Sequence, residues 1–142
     1  MMRKEFSPEE AEQIYYDAVN AVENINENDY LEDAIDTLKR ITSLTIRNVL
    51  NSRGIEYGLN DTYHQQLYPI EKDVTILEKE YKGITKLSDY KKGLRRKPKI
   101  RKTTNKIEMQ KSLLKGNISV IKKEILELLQ RISKEKPLKK AP

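Results

Sequence analysis

Along the first third of the chain, apolar residues return at helical steps. Ile14, Ala18, Ala21, Val22 and Ile25 fall on one face. Ser7-Pro8-Glu9-Glu10 precedes them as a start signal: Ser7 as cap, Pro8 at the first helical position and Glu10 completing a capping box. The polar cluster Asn26-Glu27-Asn28-Asp29 breaks this helix and offers a cap for the next. Leu31, Ala34, Ile35, Leu38, Ile41, Thr42, Thr45 and Val49 then form a second stripe, which Gly54 closes as a left-handed C-terminal cap. The pattern predicts an antiparallel hairpin of two helices.

A third stripe, Leu67, Ile70, Val74, Leu77 and Tyr81, alternates steps of three and four, with Pro69 suited to the helix start and Gly83 to its end. Residues 84 to 106 lose the periodicity and include Gly93 and Pro98, which predicts a connector holding at most a short helical turn. Asn105 and Glu108 form a second capping-box pattern. A final helix over roughly 106 to 134 follows, with Leu114, Ile118, Ile121, Ile125, Leu128 and Ile132 in line. No strand alternation and no internal repeat is visible. The expected fold is all-α: a four-helix bundle in one domain, residues 1–134, with a basic connector before a long C-terminal helix. Residues 135–142 are expected to be a disordered tail.

Composition narrows the chemistry. Of 142 residues, 37% are hydrophobic and 35% charged, with one Phe and no Trp, so the core must be thin and aliphatic. Cysteine is absent, which excludes disulfides, thiol nucleophiles and Cys-ligated metals. No apolar run approaches the roughly 20 residues of a membrane span, and "MMRKEFSPEE" lacks the apolar stretch of a secretory signal. The expectation is a soluble, cytoplasmic protein with no membrane partner. The single histidine, His64, stands in a polar stretch without other ligands at metal spacing. Glu32 and Asp36, one turn apart, read as a solvated acidic face. Phosphate-binding glycine loops and nucleophile elbows are absent, and neither an enzyme nor a cofactor is expected.

Charge is unevenly divided. Residues 1–85 carry 9 Lys or Arg against 17 Asp or Glu, and residues 86–142 carry 19 against 5, giving the net +6. The excess peaks in "KKGLRRKPKIRK", where Lys91, Lys92, Arg95, Arg96, Lys97, Lys99, Arg101 and Lys102 occur without an acid among them. Such a run neutralises phosphates without reading bases, because no helix combines a basic face with the Asn, Gln and Arg set of a major-groove reader. RNA or another single strand is therefore the expected partner. Eight Tyr against one Phe is a skewed choice. Tyr90, beside the basic run, is a candidate for stacking on an unpaired base, while the other tyrosines also suit the rim of a small core. A second reading makes the chain a self-assembling subunit or an adaptor. In it the acidic half of one copy faces the basic half of another, and the stripes at 67–81 and 114–132 pair between chains.

Residues 11–55, "AEQIYYDAVNAVENINENDYLEDAIDTLKRITSLTIRNVLNSRGI", resemble the opening helical hairpin of the HEPN superfamily, small helical proteins of prokaryotic defence and toxin–antitoxin systems. "KIEMQKSLLKGNISVIKKEILELLQRI" is similar to the closing helix of such proteins. Active members cleave RNA with an Arg followed four to six residues later by a His. Arg47 and Arg53 have no His before His64, so the resemblance implies a non-catalytic member. Locally, "ITSLTIRNVLNS" resembles a stretch of the small helical subunits of type III CRISPR effector complexes, with Thr42, Ile46, Arg47, Asn48 and Leu50 matching, but lacks that family's aromatic-rich C-terminal pattern. Both resemblances imply an all-α protein that touches RNA without cutting it.

Overall fold

The computed structural model describes residues 6–26, 30–55 and 62–134, and these are helical with no strand among them. The helices are α1 (Pro8–Glu23), α2 (Leu31–Arg40), α3 (Ile46–Ser52), α4 (Thr62–Lys92) and α5 (Lys97–Ser133). A π-helical turn, Ile41–Thr45, joins α2 to α3, so the two make one continuous rod and the architecture is a four-helix bundle. The tail at 135–142 lies outside the described residues, as does Tyr57.

Local signals at both ends of the first hairpin act as expected. The Glu10 amide donates to Ser7 Oγ at 3.1 Å, and Pro8 opens α1 with Glu9 and Glu10 at its positive end. The box is not reciprocal through the backbone; the Ser7 hydroxyl faces the Glu10 carboxylate at 3.4 Å. At the end of α3, Gly54 takes φ 74°, its amide bonds to Asn51 O at 3.0 Å, and the Ile55 amide reaches back to Leu50 O at 2.9 Å. This paired arrangement requires a left-handed residue, which glycine adopts without a steric penalty. The cap expected from residues 26–29 falls instead to Tyr30, whose side chain makes no capping bond; residues 27–29 lie outside the described residues.

The π turn changes which residues face the core. The Ile46 amide bonds to Ile41 O, five residues back, and Thr42 Oγ1 donates to Leu38 O at 3.0 Å. One extra residue is thereby absorbed. Thr45, expected in the stripe, is only half-buried, while Ile46, Val49 and Leu50 are fully buried with Leu38 and Ile41.

The rod runs antiparallel to α1: Arg53 at its far end meets Glu12 and Tyr15 in the first half of α1. On its other side it is tied to α4 by Lys39–Glu78 at 3.1 Å and Arg47–Glu71 at 3.6 Å. The Glu78 carboxyl is held below the usual carboxylate range by the hydrogen bond and charge of Lys39. Lys122 Nζ closes the other edge by donating to Ile25 O at 2.5 Å. Leu67, Ile70, Val74 and Leu77 from α4 join Leu114, Ile118, Ile121, Ile125, Leu129 and Ile132 from α5 in the core. Those two stripes therefore pair within the chain, not between chains.

The largest departure from expectation is at 84–106. Gly83 does not end α4, which continues nine residues further to Lys92, and α5 begins at Lys97, with Asn105 and Glu108 inside it. Only Gly93–Arg96 form the link, so the expected connector is the tip of a long helical hairpin. Apolar periodicity lapses there because α1 to α3 do not reach it. The last buried residues towards the tip are Ile84 and Ile107, and none of residues 85–106 is buried. Pro69 likewise sits well inside α4 rather than near its start, with Thr62 seven residues earlier. Lacking an N–H, it gives no bond to the preceding turn.

Candidate nucleic-acid interface

The hairpin tip is where the basic run is presented. From Ile84 to Lys92, α4 projects beyond the core by about 12 Å at 1.5 Å per residue. Lys91 and Lys92 occupy its last turn, where cations complement the negative end of the helix dipole. Lys92 also pairs with Asp89 at 3.7 Å. The link is held by the Gly93 amide on Tyr90 O at 3.1 Å and the Leu94 amide on Lys91 O at 3.0 Å. Leu94 and Ile100 are half-buried against the tip, while Lys92, Arg95, Arg96, Lys97, Lys99, Arg101 and Lys102 are exposed and Lys91 is half-exposed. All eight predicted cations are thus gathered on about two turns of helix and one turn of chain. Tyr90, exposed at the last turn of α4, stands beside them.

Charge at the start of α5 runs against the helix. Its cap is Arg96, with no side-chain capping bond; Pro98 is in the first turn, and no acid occurs there. Lys97 and Lys99 instead sit at the positive end of the dipole, with Arg101 and Lys102 one turn on. Between Tyr90 and Ile107 there are nine Lys or Arg and no Asp or Glu, so the repulsion is not relieved locally in sequence. An anion held at this end would offset both the repulsion and the dipole. Pro98 beside the cations was the available signal for a helix start here, since proline favours the first turn.

The remaining candidates are dispersed. His64 is half-buried and stacks on Tyr68 with ring centroids 6.1 Å apart, and Lys72 lies over the other side chain's ring at 5.1 Å. Arg47 is engaged by Glu71, and Arg53 by Glu12 and Tyr15. Glu32 and Asp36 are both exposed, and no group of three or more His, Asp or Glu able to hold a metal occurs among the described residues. Of the other tyrosines, Tyr15, Tyr63 and Tyr81 pack on the core edge, whereas Tyr16, Tyr30 and Tyr68 are exposed. No helix among the described residues is long and apolar enough to cross a membrane.

What the sequence reading did not single out is an apolar face on the outer side of the same hairpin: Met109, Leu113 and Val120 of α5 and Ile76 of α4 are all more than half exposed. No protein family, characterised protein or solved structure matches the chain.

Proposed function

We propose that the protein binds RNA, or another single-stranded nucleic acid, through the tip of the α4–α5 hairpin and does no chemistry on it. The observation that supports this reading is the concentration of Lys91, Lys92, Arg95, Arg96, Lys97, Lys99, Arg101 and Lys102 on a projecting tip whose helix start carries no acid and no side-chain cap. Phosphates there would meet a high density of cations and a positive helix end, while Tyr90 offers an exposed ring for an unpaired base. Because six of the cations are fixed on helices and Arg95 and Arg96 on the short link between them, the ordering cost of binding falls mainly on their side chains and on the strand. The resemblance of residues 11–55 to the HEPN opening hairpin points the same way, and sets the proposal among non-catalytic proteins of prokaryotic defence or toxin–antitoxin systems.

The test is a salt titration of binding to a short single-stranded RNA. Neutralising about five phosphates should make affinity fall about 10²-fold between about 50 and 200 mM salt, from a slope of about −0.7 per contact. Replacing Arg95, Arg96, Lys97, Lys99 and Arg101 together by Gln should weaken binding and flatten that slope, with helix content unchanged. An unchanged slope in the variant, or no binding by the native chain at low salt, would remove the tip from consideration.

A further inference from the structure

The outer face of the α4–α5 hairpin has the composition of a contact surface. Met109, Leu113, Gly116 and Val120 recur at steps of four, three and four, so they form a single stripe on α5, opposite the buried stripe. Their exposures are 66% for Met109, 63% for Leu113 and 55% for Val120, too high for side chains at the edge of a core. Beside Val120 is a hollow of about 220 Å³, bordered by Ile76 and Glu80 of α4 and Asn117 and Val120 of α5.

Two glycines on these helices are not accounted for within the protomer. A Cβ added at Gly116 or at Gly83 would meet nothing within 4 Å, so neither is needed for packing inside the chain. Each weakens its helix by about 1 kcal/mol relative to alanine. Glycine in an exposed helical stripe permits close approach of a second backbone. Gly116 lies within the α5 stripe, and Gly83 is seven residues from Ile76, on the same face of α4.

Charges at the two ends of the stripe indicate what approaches. Lys102 and Lys106 lie beyond Met109; Glu124 and Glu127 lie beyond Val120, with Lys123 between Val120 and Glu124 and Arg131 beyond Glu127, and partial burial, then Asp73 of α4 and Glu127, raises the Glu124 pKa. A face with two cations at one end and two carboxylates at the other can pair these groups with those of its own copy when reversed. We propose that this face pairs with the same face of a second copy, α5 against α5, antiparallel about a two-fold axis between Leu113 and Gly116. In that register Leu113 sits over the partner's Gly116, and Met109 enters the hollow beside the partner's Val120. Lys102 is brought to the partner's Glu127, and Lys106 to the partner's Glu124. Like-facing patches related by a two-fold axis close into a dimer and do not propagate into a filament.

The apolar stripe is about 16 Å long at 1.5 Å per residue, which places the interface at the small end of specific contacts and the dimer in a concentration-dependent regime. Each basic tip then lies about 30 Å from the axis, and the two point in opposite directions about 60 Å apart. The pairing does not rest on the nucleic-acid reading, and it is tested without nucleic acid.

Sedimentation velocity of the full chain, from low to high micromolar concentration, should show a monomer–dimer equilibrium. Gly116→Leu, for which the protomer has open space, should weaken it by at least about tenfold while leaving the circular dichroism spectrum of dilute protein unaltered and its helical melt no lower. Leu113→Glu should do the same. Lys106→Glu and Glu124→Lys should each weaken self-association, and an equimolar mixture of the two variants should regain it, since every cross-pair is then again of opposite sign. A chain that stays monomeric over the whole range overturns the proposal. So does a dimer indifferent to Gly116→Leu and Leu113→Glu, or charge variants that stay monomeric when mixed.

Discussion

The guanidinium of Arg53 lies 3.6 Å from the Glu12 carboxylate, with one side chain 3% and the other 57% exposed. The same guanidinium stands 5.5 Å from the centre of the Tyr15 ring, so the end of α3 is fixed to α1 through a buried cation, an aromatic face and a solvated acid. The two partners should respond differently to removal. Glu12→Gln should cost less than about 1 kcal/mol and be sensitive to salt, because its half of the pair is in water. Arg53→Ala should cost about 2 to 4 kcal/mol, since the buried stem and its ring contact are lost as well. Urea unfolding of both variants measures the difference; equal losses would contradict this division.

Leu38→Asp should abolish cooperative folding. Leu38 is completely buried where α2 enters the π turn, and the adjacent cation, Lys39, is turned to the surface, where its amine is committed to Glu78. The burial penalty of several kcal/mol is comparable with the whole stability of a small domain. Loss of a sigmoidal melt is the expected readout.

At the tip, stability and binding should move in opposite directions. Arg96→Asp supplies the missing cap and a favourable charge at the start of α5, and should stabilise the protein by about 1 kcal/mol. The same change removes a cation and adds an anion where phosphates are proposed to sit, so RNA affinity should drop. Thermal melts and binding titrations on one sample would show both.

Glu124 gives a pH dependence of determinate sign. Partial burial, then Asp73 and Glu127, raises its pKa above the ordinary value of 4.5, so the folded chain holds that proton more tightly than the unfolded chain. In dilute, monomeric protein, Glu124→Gln should raise the melting temperature modestly at neutral pH. The gain should shrink as pH falls through the raised value and disappear below about 4.5, where the carboxyl is protonated in the folded and the unfolded chain alike. A gain that grows on acidification would reverse the assignment.

His64→Ala should leave RNA affinity nearly unchanged, and the native protein should release no RNA fragments. His64 stacks on Tyr68 on a different part of α4 from the basic tip, and the arginines nearest to the expected catalytic spacing are each engaged by a glutamate. Metal-independent cleavage that vanishes in the variant would establish an enzyme instead.

The helix count, the caps at Ser7 and Gly54 and most of the core followed from short-range spacing, because the bundle buries those stripes where the sequence alternates most regularly. The tip did not. Residues 85 to 92 and 97 to 106 are helical without a buried face: α4 and α5 support each other there, and Lys, Arg and Leu are good helix formers that need no third partner. An apolar stripe reports burial, and its lapse reports loss of burial, not loss of helix. The cations at 91–102 were legible as a charge run, but their arrangement on two helix ends required the turn at Gly93–Arg96 to be located. Gly116 and Gly83 carried no signal as packing residues until the space above them could be inspected.

The π turn at Ile41–Thr45 makes the rod sensitive to indels in an unusual way. Straightening it into regular α-helix with every residue kept would put all that follows out of phase by about 100°, whereas deleting Ser43 would remove the extra residue and leave the phase intact. In the straightened rod of full length, Ile46 and Leu50 would swing towards solvent, and Arg47 and Arg53 would leave Glu71 and Glu12. A local gain in helicity would thus scramble the address of each side chain in α3. The irregular turn keeps two helical segments, each correct by itself, synchronised with the same core.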